Sequence, residues 1–331
     1  MKYLLPKVKK YFKTNLHTHS TVSDGKLSPK EAKEAYKAKG YQVLAITDHN
    51  IIADHSSLTD PDFLMLTGVE INFNSDQYRF RFDGPVYHLN LISKQPHNLW
   101  SPSQPPRKYP GGLPYEEKVN WQYMDTSYSP DAVNAMIAKA NEMGFLVMYN
   151  HPTWSCQSYP DYAPLKGLWG VELRNGECHL IDENNKLVFK DLLNLGKRIF
   201  PVGTDDMHNP EFVGKAWIML GAEELSYNSV INALEKGDFY MSCGPEISDL
   251  TVEGNKLRVN CSNAKMVKIE SHGRYCLSVD ANGENWLNSA EFDLTTFIEK
   301  ANGDDSLFIY VTVVAPDGTY ATTRAYHLNE L

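Results

Sequence analysis

Short apolar runs recur along the first two thirds of the chain at Tyr41–Ile46, Phe63–Leu66, Val86–Ile92, Phe145–Tyr149, Gly167–Leu173 and Arg198–Val202. Their length and content are those of buried strands. Helix punctuation lies between them. Ser28-Pro29-Lys30-Glu31 reads as an N-cap, a proline at the first helical position and a capping-box glutamate, with Gly40 closing the helix. Ser129-Pro130-Asp131 opens a second helix that Gly144 stops, and further helices are expected from Leu187 to Leu195 and from Tyr227 to Glu235. Trp217–Leu220 is a further strand candidate. Repeated helix, glycine and apolar strand is the rhythm of α/β units around a parallel sheet.

Two stretches depart from this rhythm. From Ser93 to Ser127 the chain is rich in Pro, Gly, Tyr and Trp, including Trp100 and Trp121. A stretch this long inside a compact region calls for a purpose, and its aromatic content predicts an ordered lid over a site. Asn74 to Pro85 reads as a smaller hairpin carrying Arg79 and Arg81, so the whole insertion covers about 74–128. Past Cys243-Gly244-Pro245, alternating strands at Lys256–Val259, Met266–Ile269 and Leu307–Val314, with turn signals at Asn282-Gly283 and Asp317-Gly318, predict a β-sandwich. The expected division is therefore 1–243 and 244–331, with the chemistry in the first part.

Composition narrows the class. With 331 residues, 42% of them hydrophobic, the chain has room for one large core and a smaller unit. A formal charge of −9 argues against an extended nucleic-acid footprint, which needs clustered Lys and Arg. No apolar run has membrane-spanning length, and the start is too short in apolar residues for a signal peptide. Five cysteines without a CxxC spacing suggest neither a disulfide framework nor a zinc knuckle. The expected setting is cytoplasmic, or secreted where a leader has been removed.

Chemistry-bearing residues follow the apolar runs. If Leu16–Thr18 end a strand, His17 and His19 share a face, and Asp24 returns to them after a short loop. Thr47-Asp48-His49, Gly68-Val69-Glu70, His88, Asn150-His151-Pro152 and Asp205-Asp206-Met207-His208 repeat the pattern. Imidazole and carboxylate donors without thiolate suit Zn²⁺, Mn²⁺ or Fe²⁺. Asp48 and Asp205 are expected to orient ligand imidazoles through their second ring nitrogen. Arg174 is a candidate for holding an anionic substrate group, with an ordinary salt bridge as the alternative. There is no Gly-x-Ser-x-Gly elbow and no recognisable Cys-His arrangement for a protein nucleophile.

In this order, His17-x-His19, Asp24, Thr47-Asp48-His49, Gly68-Val69-Glu70, His88, Asn150-His151-Pro152 and Asp206-x-His208 resemble the PHP (polymerase and histidinol phosphatase) superfamily over roughly residues 14–243. The resemblance implies a distorted seven-stranded (β/α) barrel and two or three divalent ions. It implies as ligands His17, His19, Asp24, His49, Glu70, His88, His151, Asp206 and His208, with Glu70 as bridge. Val171-Glu172-Leu173-Arg174-Asn175-Gly176 and Ser242-Cys243-Gly244-Pro245 look more specifically like the branch containing carbaryl hydrolase, whose members often carry a C-terminal β domain. The expected activity is hydrolysis of a small phosphate ester by metal-bound hydroxide, with Asp24 or His208 assisting the leaving group. The alternatives are hydrolysis of a carboxylic ester or carbamate with the same metals, and a non-catalytic metal-dependent binding protein. The expected partner is a small-molecule ester, with no membrane involved.

Overall fold

A computed structural model describes residues 1–8, 10–74, 84–105, 118–178, 185–283 and 285–331. Seven strands form the body of the first region: β1 (Phe12–Asn15), β2 (Val43–Ile46), β3 (Leu64–Asn74), β4 (Val86–Ser93), β5 (Phe145–Tyr149), β6 (Gly170–Asn175) and β7 (Phe200–Thr204). They pair in the order β7-β6-β5-β4-β3-β2-β1. The helices α1 (Pro29–Ala38), α2 (Pro130–Glu142), α3 (Asn185–Asn194) and α4 (Tyr227–Lys236) lie where the punctuation placed them. Ser28 and Glu31 close the predicted capping box at the start of α1, and Gly237 ends α4 with φ +69°.

The sheet is mixed, which corrects the expectation of a parallel one. β4 runs antiparallel to both β3 and β5. This reversal decides where His88 goes. In a strand running the other way, the start lies at the same rim as the ends of its neighbours, and the register sets His88 opposite Asn72 and Asn90 opposite Glu70.

At that rim the two ends of the run meet. The Asp206 amide donates to the His17 carbonyl at 3.0 Å, and the His19 amide to the Met207 carbonyl at 3.0 Å. Below it, β8 (Trp217–Leu220) pairs antiparallel with β1. A Cβ on Gly203 of β7 would lie 2.8 Å from the Trp217 carbonyl oxygen, so only glycine lets β7 come this close to β8.

The large sheet does not stop with the first region. β9 (Phe239–Ser242) pairs with β8 on one side and on the other with Tyr320–Thr323, which leads on to Phe308–Val314, Met266–Ser271 and Cys276–Asp280. A separate four-stranded sheet joins Lys2–Tyr3, Ile247–Glu253, Lys256–Ala264 and Leu287–Asp293. Leu250, Val252, Leu257 and Val259 of this sheet pack with Val267, Ile269, Val311 and Val313 of the large one. Leu4 and Leu5, near the start of the sequence, are buried in this same C-terminal core. No described helix is long and apolar enough to cross a membrane.

The insertion is described only at its flanks. The hairpin expected at Asn74–Pro85, with Arg79 and Arg81, lies largely outside the described residues, as does the 106–117 part of the expected lid. Trp100 is fully buried, with its ring 5.7 Å from Phe145 and its indole N–H on Gln122 at 3.0 Å. Phe145 begins β5, whereas His151 follows its other end, so Trp100 belongs to the core and not to a cover over the site. Trp100→Ala should lower unfolding stability by about 3–5 kcal/mol, as for other large buried aromatics. Denaturant titration checks this, and a loss below about 1 kcal/mol would place the ring outside the core.

Candidate metal centre

Every strand of the seven sends a polar group to the rim where β1 and β7 meet. His17 and His19 follow β1, His49 follows β2, Glu70 lies within β3, and His88 lies near the start of β4. His151 follows β5, and Asp206 and His208 follow β7. His151 and Asp206 leave their strands with φ of +25° and +50°, in the left-handed region that side chains disfavour. The missing contribution, from β6, is Glu172.

Glu70 is wholly buried and faces five imidazoles. Its Oε1 lies 3.2 Å from His17 Nε2, 3.1 Å from His88 Nδ1 and 3.4 Å from His151 Nε2, and its Oε2 lies 2.8 Å from His49 Nδ1 and 3.4 Å from His19 Nε2. Asp206 Oδ1 lies 3.1 Å from Nε2 of both His17 and His19, while those two nitrogens are 3.2 Å apart. Asp24, half exposed at the mouth, has oxygens 3.5 Å from His208 Nε2, 3.6 Å from His49 Nε2 and 3.7 Å from His19 Nδ1. The structure thus brings all nine expected donors into one contiguous cluster. His19, Asp24, His49 and His208 form one group that could hold an ion; His17, His19 and Glu70 form another, and His49, Glu70 and His88 a third.

A cation fits this arrangement. Glu70 Oε2, Asp206 Oδ1 and His88 Nδ1 are buried without a well-formed hydrogen bond, a costly state for polar atoms inside a protein. The donors are nitrogen and oxygen, the set preferred by borderline and hard divalent ions. Burial opposes charge on Glu70, yet the imidazoles of His88, His17 and His49 hold its carboxyl well below the usual range. Burial likewise opposes charge on His208, but Asp24, Glu177 and Asp206 push it up to about 11. Divalent ions would take over the neutralisation that imidazolium protons supply here.

The groups that aim the imidazoles differ from those expected. Asp48 accepts from the backbone amides of Ser20 and Ser23, at 2.7 and 3.2 Å, and from both hydroxyls. It therefore holds the loop after His19 and touches no ring. Asp205 accepts the amides of Gly214, Lys215 and Ala216 at 2.7–2.9 Å and holds another loop. Burial raises its carboxyl to about 6, against those three amides, which favour the charge.

Glu172 does what Asp48 was expected to do. Its Oε1 lies 2.6 Å from His17 Nδ1 and accepts the Thr204 hydroxyl, while its Oε2 accepts the His151 amide at 2.9 Å and Asn175 Nδ2 at 3.0 Å. Taking the Nδ1 proton leaves the His17 Nε2 lone pair facing Glu70 and Asp206. Glu177 holds His208 Nδ1 in the same way at 3.0 Å, and the Ser155 hydroxyl sits 3.1 Å from His151 Nδ1. Glu172 was legible as one more polar residue in an apolar strand, but no local motif marked it.

Arg174 is turned away. The pairing of β6 with β7 skips a residue between Glu172, opposite Val202, and Arg174, opposite Gly203. That bulge lets Glu172 and Asn175 both reach the rim while Arg174 leaves it. The cation at the mouth is instead Lys26, and Trp154 flanks it with its ring 4.9 Å from His151 and 5.7 Å from His88.

No protein-family model matches the chain. A stretch of 66 residues, 19% of the chain, is 44% identical to part of a 5'-3' exoribonuclease of Haemophilus influenzae and spans 24% of that enzyme's length. A two-domain protein from Bacteroides vulgatus, containing a predicted PHP-like metal-dependent phosphoesterase, aligns over 99% of this chain and 98% of its own at 14% identity and a TM-score of 0.45. A lesion-specific endonuclease from Pyrococcus furiosus aligns over 68% of this chain and 56% of its own, at 13% identity and a TM-score of 0.41. Likenesses this loose leave the chemistry to be read from the side chains.

Glu172→Gln should weaken divalent-metal binding about 10- to 100-fold, because the carboxylate fixes the tautomer of His17. Asp48→Asn should chiefly lower thermal stability, by about 1–3 kcal/mol, since it leaves buried loop amides poorly satisfied. Metal titration and melting of both variants separate the two roles. Equal loss of metal affinity in both would remove the special position given to Glu172.

Proposed function

We propose that this chain is a metal-dependent phosphoesterase of the PHP superfamily, hydrolysing a small phosphate ester at the rim of the seven strands. The observation that carries this reading is the convergence of nine side chains with nitrogen or oxygen donors, among them the buried carboxylates Glu70 and Asp206, whose Oε2 and Oδ1 lack hydrogen-bond partners. The run of seven strands with joined ends supports a distorted (β/α) barrel, and the two sheets around the C-terminal apolar core support a β-sandwich beside it.

His17, His19, His49, Glu70, His88, His151, Asp206 and His208, with Asp24 at the mouth, would hold two or three divalent ions, with Glu70 bridging. Zn²⁺, Mn²⁺ or Fe²⁺ suits this donor set. Bound there, such ions lower the pKa of water and offset the negative charge that builds on ester oxygens during attack. The chain's own groups do the rest. Glu172 and Glu177 keep the ligand faces of His17 and His208 turned inward. Lys26 meets the anionic group of an arriving substrate. His208 and Asp24, paired at the solvent-facing side, stand where a leaving group needs a proton.

A second reading, cleavage at the end of an RNA chain, is favoured by the 66-residue likeness to an exoribonuclease. Turnover of a nitrophenyl phosphate monoester, the matching diester, a nitrophenyl carboxylic ester and a 5'-phosphorylated RNA oligomer by Mn²⁺- and Zn²⁺-loaded protein separates the readings. Phosphate-ester turnover should dominate and vanish in His17→Ala. Carboxylic-ester turnover alone would move the protein to carbamate and carboxylic-ester chemistry, and RNA turnover alone to the second reading. Lys26→Ala should raise KM about tenfold with little change in kcat, the mark of an interaction made equally in ground and transition states. A kcat loss of similar size would make Lys26 part of the chemical step.

A further inference from the structure

Away from the metal centre, positive charge gathers among the described residues at a pocket beside helix α3. Helix α3 and the strands Met266–Ser271, Phe308–Val314 and Tyr320–Thr323 enclose this pocket, of about 380 Å³. That volume lies within the range of pockets for small organic ligands. It shares no lining residue with the metal centre.

Among the described residues three lysines line it, Lys186, Lys190 and Lys268, with one carboxylate, that of Glu270. Glu270 lies 2.7 Å from Lys268 Nζ and 3.9 Å from Lys190 Nζ. Lys186 has no carboxylate within ion-pair distance among the described residues, and its ammonium sits over the Tyr320 ring at 3.4 Å from the centroid. Arg174 lies near enough to Lys186 for their like charges to oppose each other, and its Nε is buried without a hydrogen-bond partner. Burial, together with the like charges of Lys268 and Arg174, depresses the Lys186 pKa. Among the described residues three lysine heads line the pocket beside one carboxylate, and an anion of matching size would relieve their mutual repulsion.

The remaining wall says what kind of anion fits. The buried Thr312 and Thr322 hydroxyls, hydrogen-bonded to each other at 3.2 Å, leave one hydroxyl proton to donate beside the lysines. Phe189 and Tyr310 meet edge to face at 5.5 Å and give an apolar side. Phosphate oxygens match Lys and hydroxyl donors, and a flat apolar body matches the aromatic side. We propose that this pocket is a second anion site, which binds a small organic phosphate with its phosphate group against Lys186 and Lys268 and its apolar body beside Phe189 and Tyr310. A concave pocket of this size favours a small molecule over a polymer.

The test uses the full chain freed of divalent ions by chelator, with 1-naphthyl phosphate as probe and 1-naphthol and inorganic phosphate as its two halves. Saturable binding is expected by naphthyl fluorescence and by a rise in melting temperature, each half binding about tenfold more weakly or worse. Lys186→Ala/Lys268→Ala should raise Kd about tenfold or more, Lys186→Arg/Lys268→Arg should largely restore it, and Lys26→Ala should leave it unchanged. Lys190→Gln serves as a milder variant if the double alanine variant melts early. The proposal is overturned by absence of saturable binding, or by binding that Lys26→Ala abolishes and the double alanine variant keeps. It is also overturned if a short RNA oligomer alone binds in a Lys186- and Lys268-dependent way, which would make this surface a polymer contact.

Discussion

A carboxylate buried as completely as Glu70 stays ionised only if positive charge is held close to it, and the architecture of the first region meets that demand. Removing a carboxylate from water costs several kcal/mol even after relaxation. Five imidazoles surround Glu70, two following β1 and one each from β2, β4 and β5. No local segment could supply them all. The strands must meet around it, and the hydrogen bonds between His17, His19, Asp206 and Met207 are what bring the first and last of them together. Sheet closure and site formation are thus one event.

The surrounding carboxylates divide the labour by burial and geometry rather than by residue type. Asp48 and Asp205 sit next to ligand histidines in sequence and spend their oxygens on backbone amides. Glu172 and Glu177 lie on a different strand and its following loop from the histidines they hold, and each takes a ring nitrogen. Loops carrying ligands need as much fixing as the rings themselves. In this molecule the nearer acid fixes the loop and the distant acid fixes the ring.

Much of this was legible in the sequence because the signals are local. Caps, closing glycines and apolar runs located the helices and many of the strands, though Phe63–Leu66 marks only the start of the strand that runs to Asn74, and polar residues in or after these runs marked the rim. What was not legible depends on pairing between distant segments. The reversal of β4 follows from its partners and leaves no mark in Val86–Ile92 itself. Arg174 is absent from the lining of the metal pocket, and the one-residue slip of its strand against β7 likewise leaves no mark in the local sequence. Trp100 illustrates a third limit: an aromatic in a Pro- and Gly-rich stretch fits a lid and a core equally well until its neighbour, Phe145, is known. Continuity of the large sheet through β9 into the C-terminal region likewise rests on a strand pair that composition could not reveal.

The left-handed backbone of His151 and Asp206 sets the molecule's two requirements against each other. A residue with a Cβ in that region carries strain of order 1–3 kcal/mol, which glycine would relieve. Glycine has no imidazole or carboxylate to offer, so the side chains that complete the cluster occupy the backbone positions least suited to them. Drift towards a sturdier fold at these two points would therefore run through loss of the site, and a relative in which glycine stands at either place would be recognisable as one that has kept the scaffold and given up the chemistry.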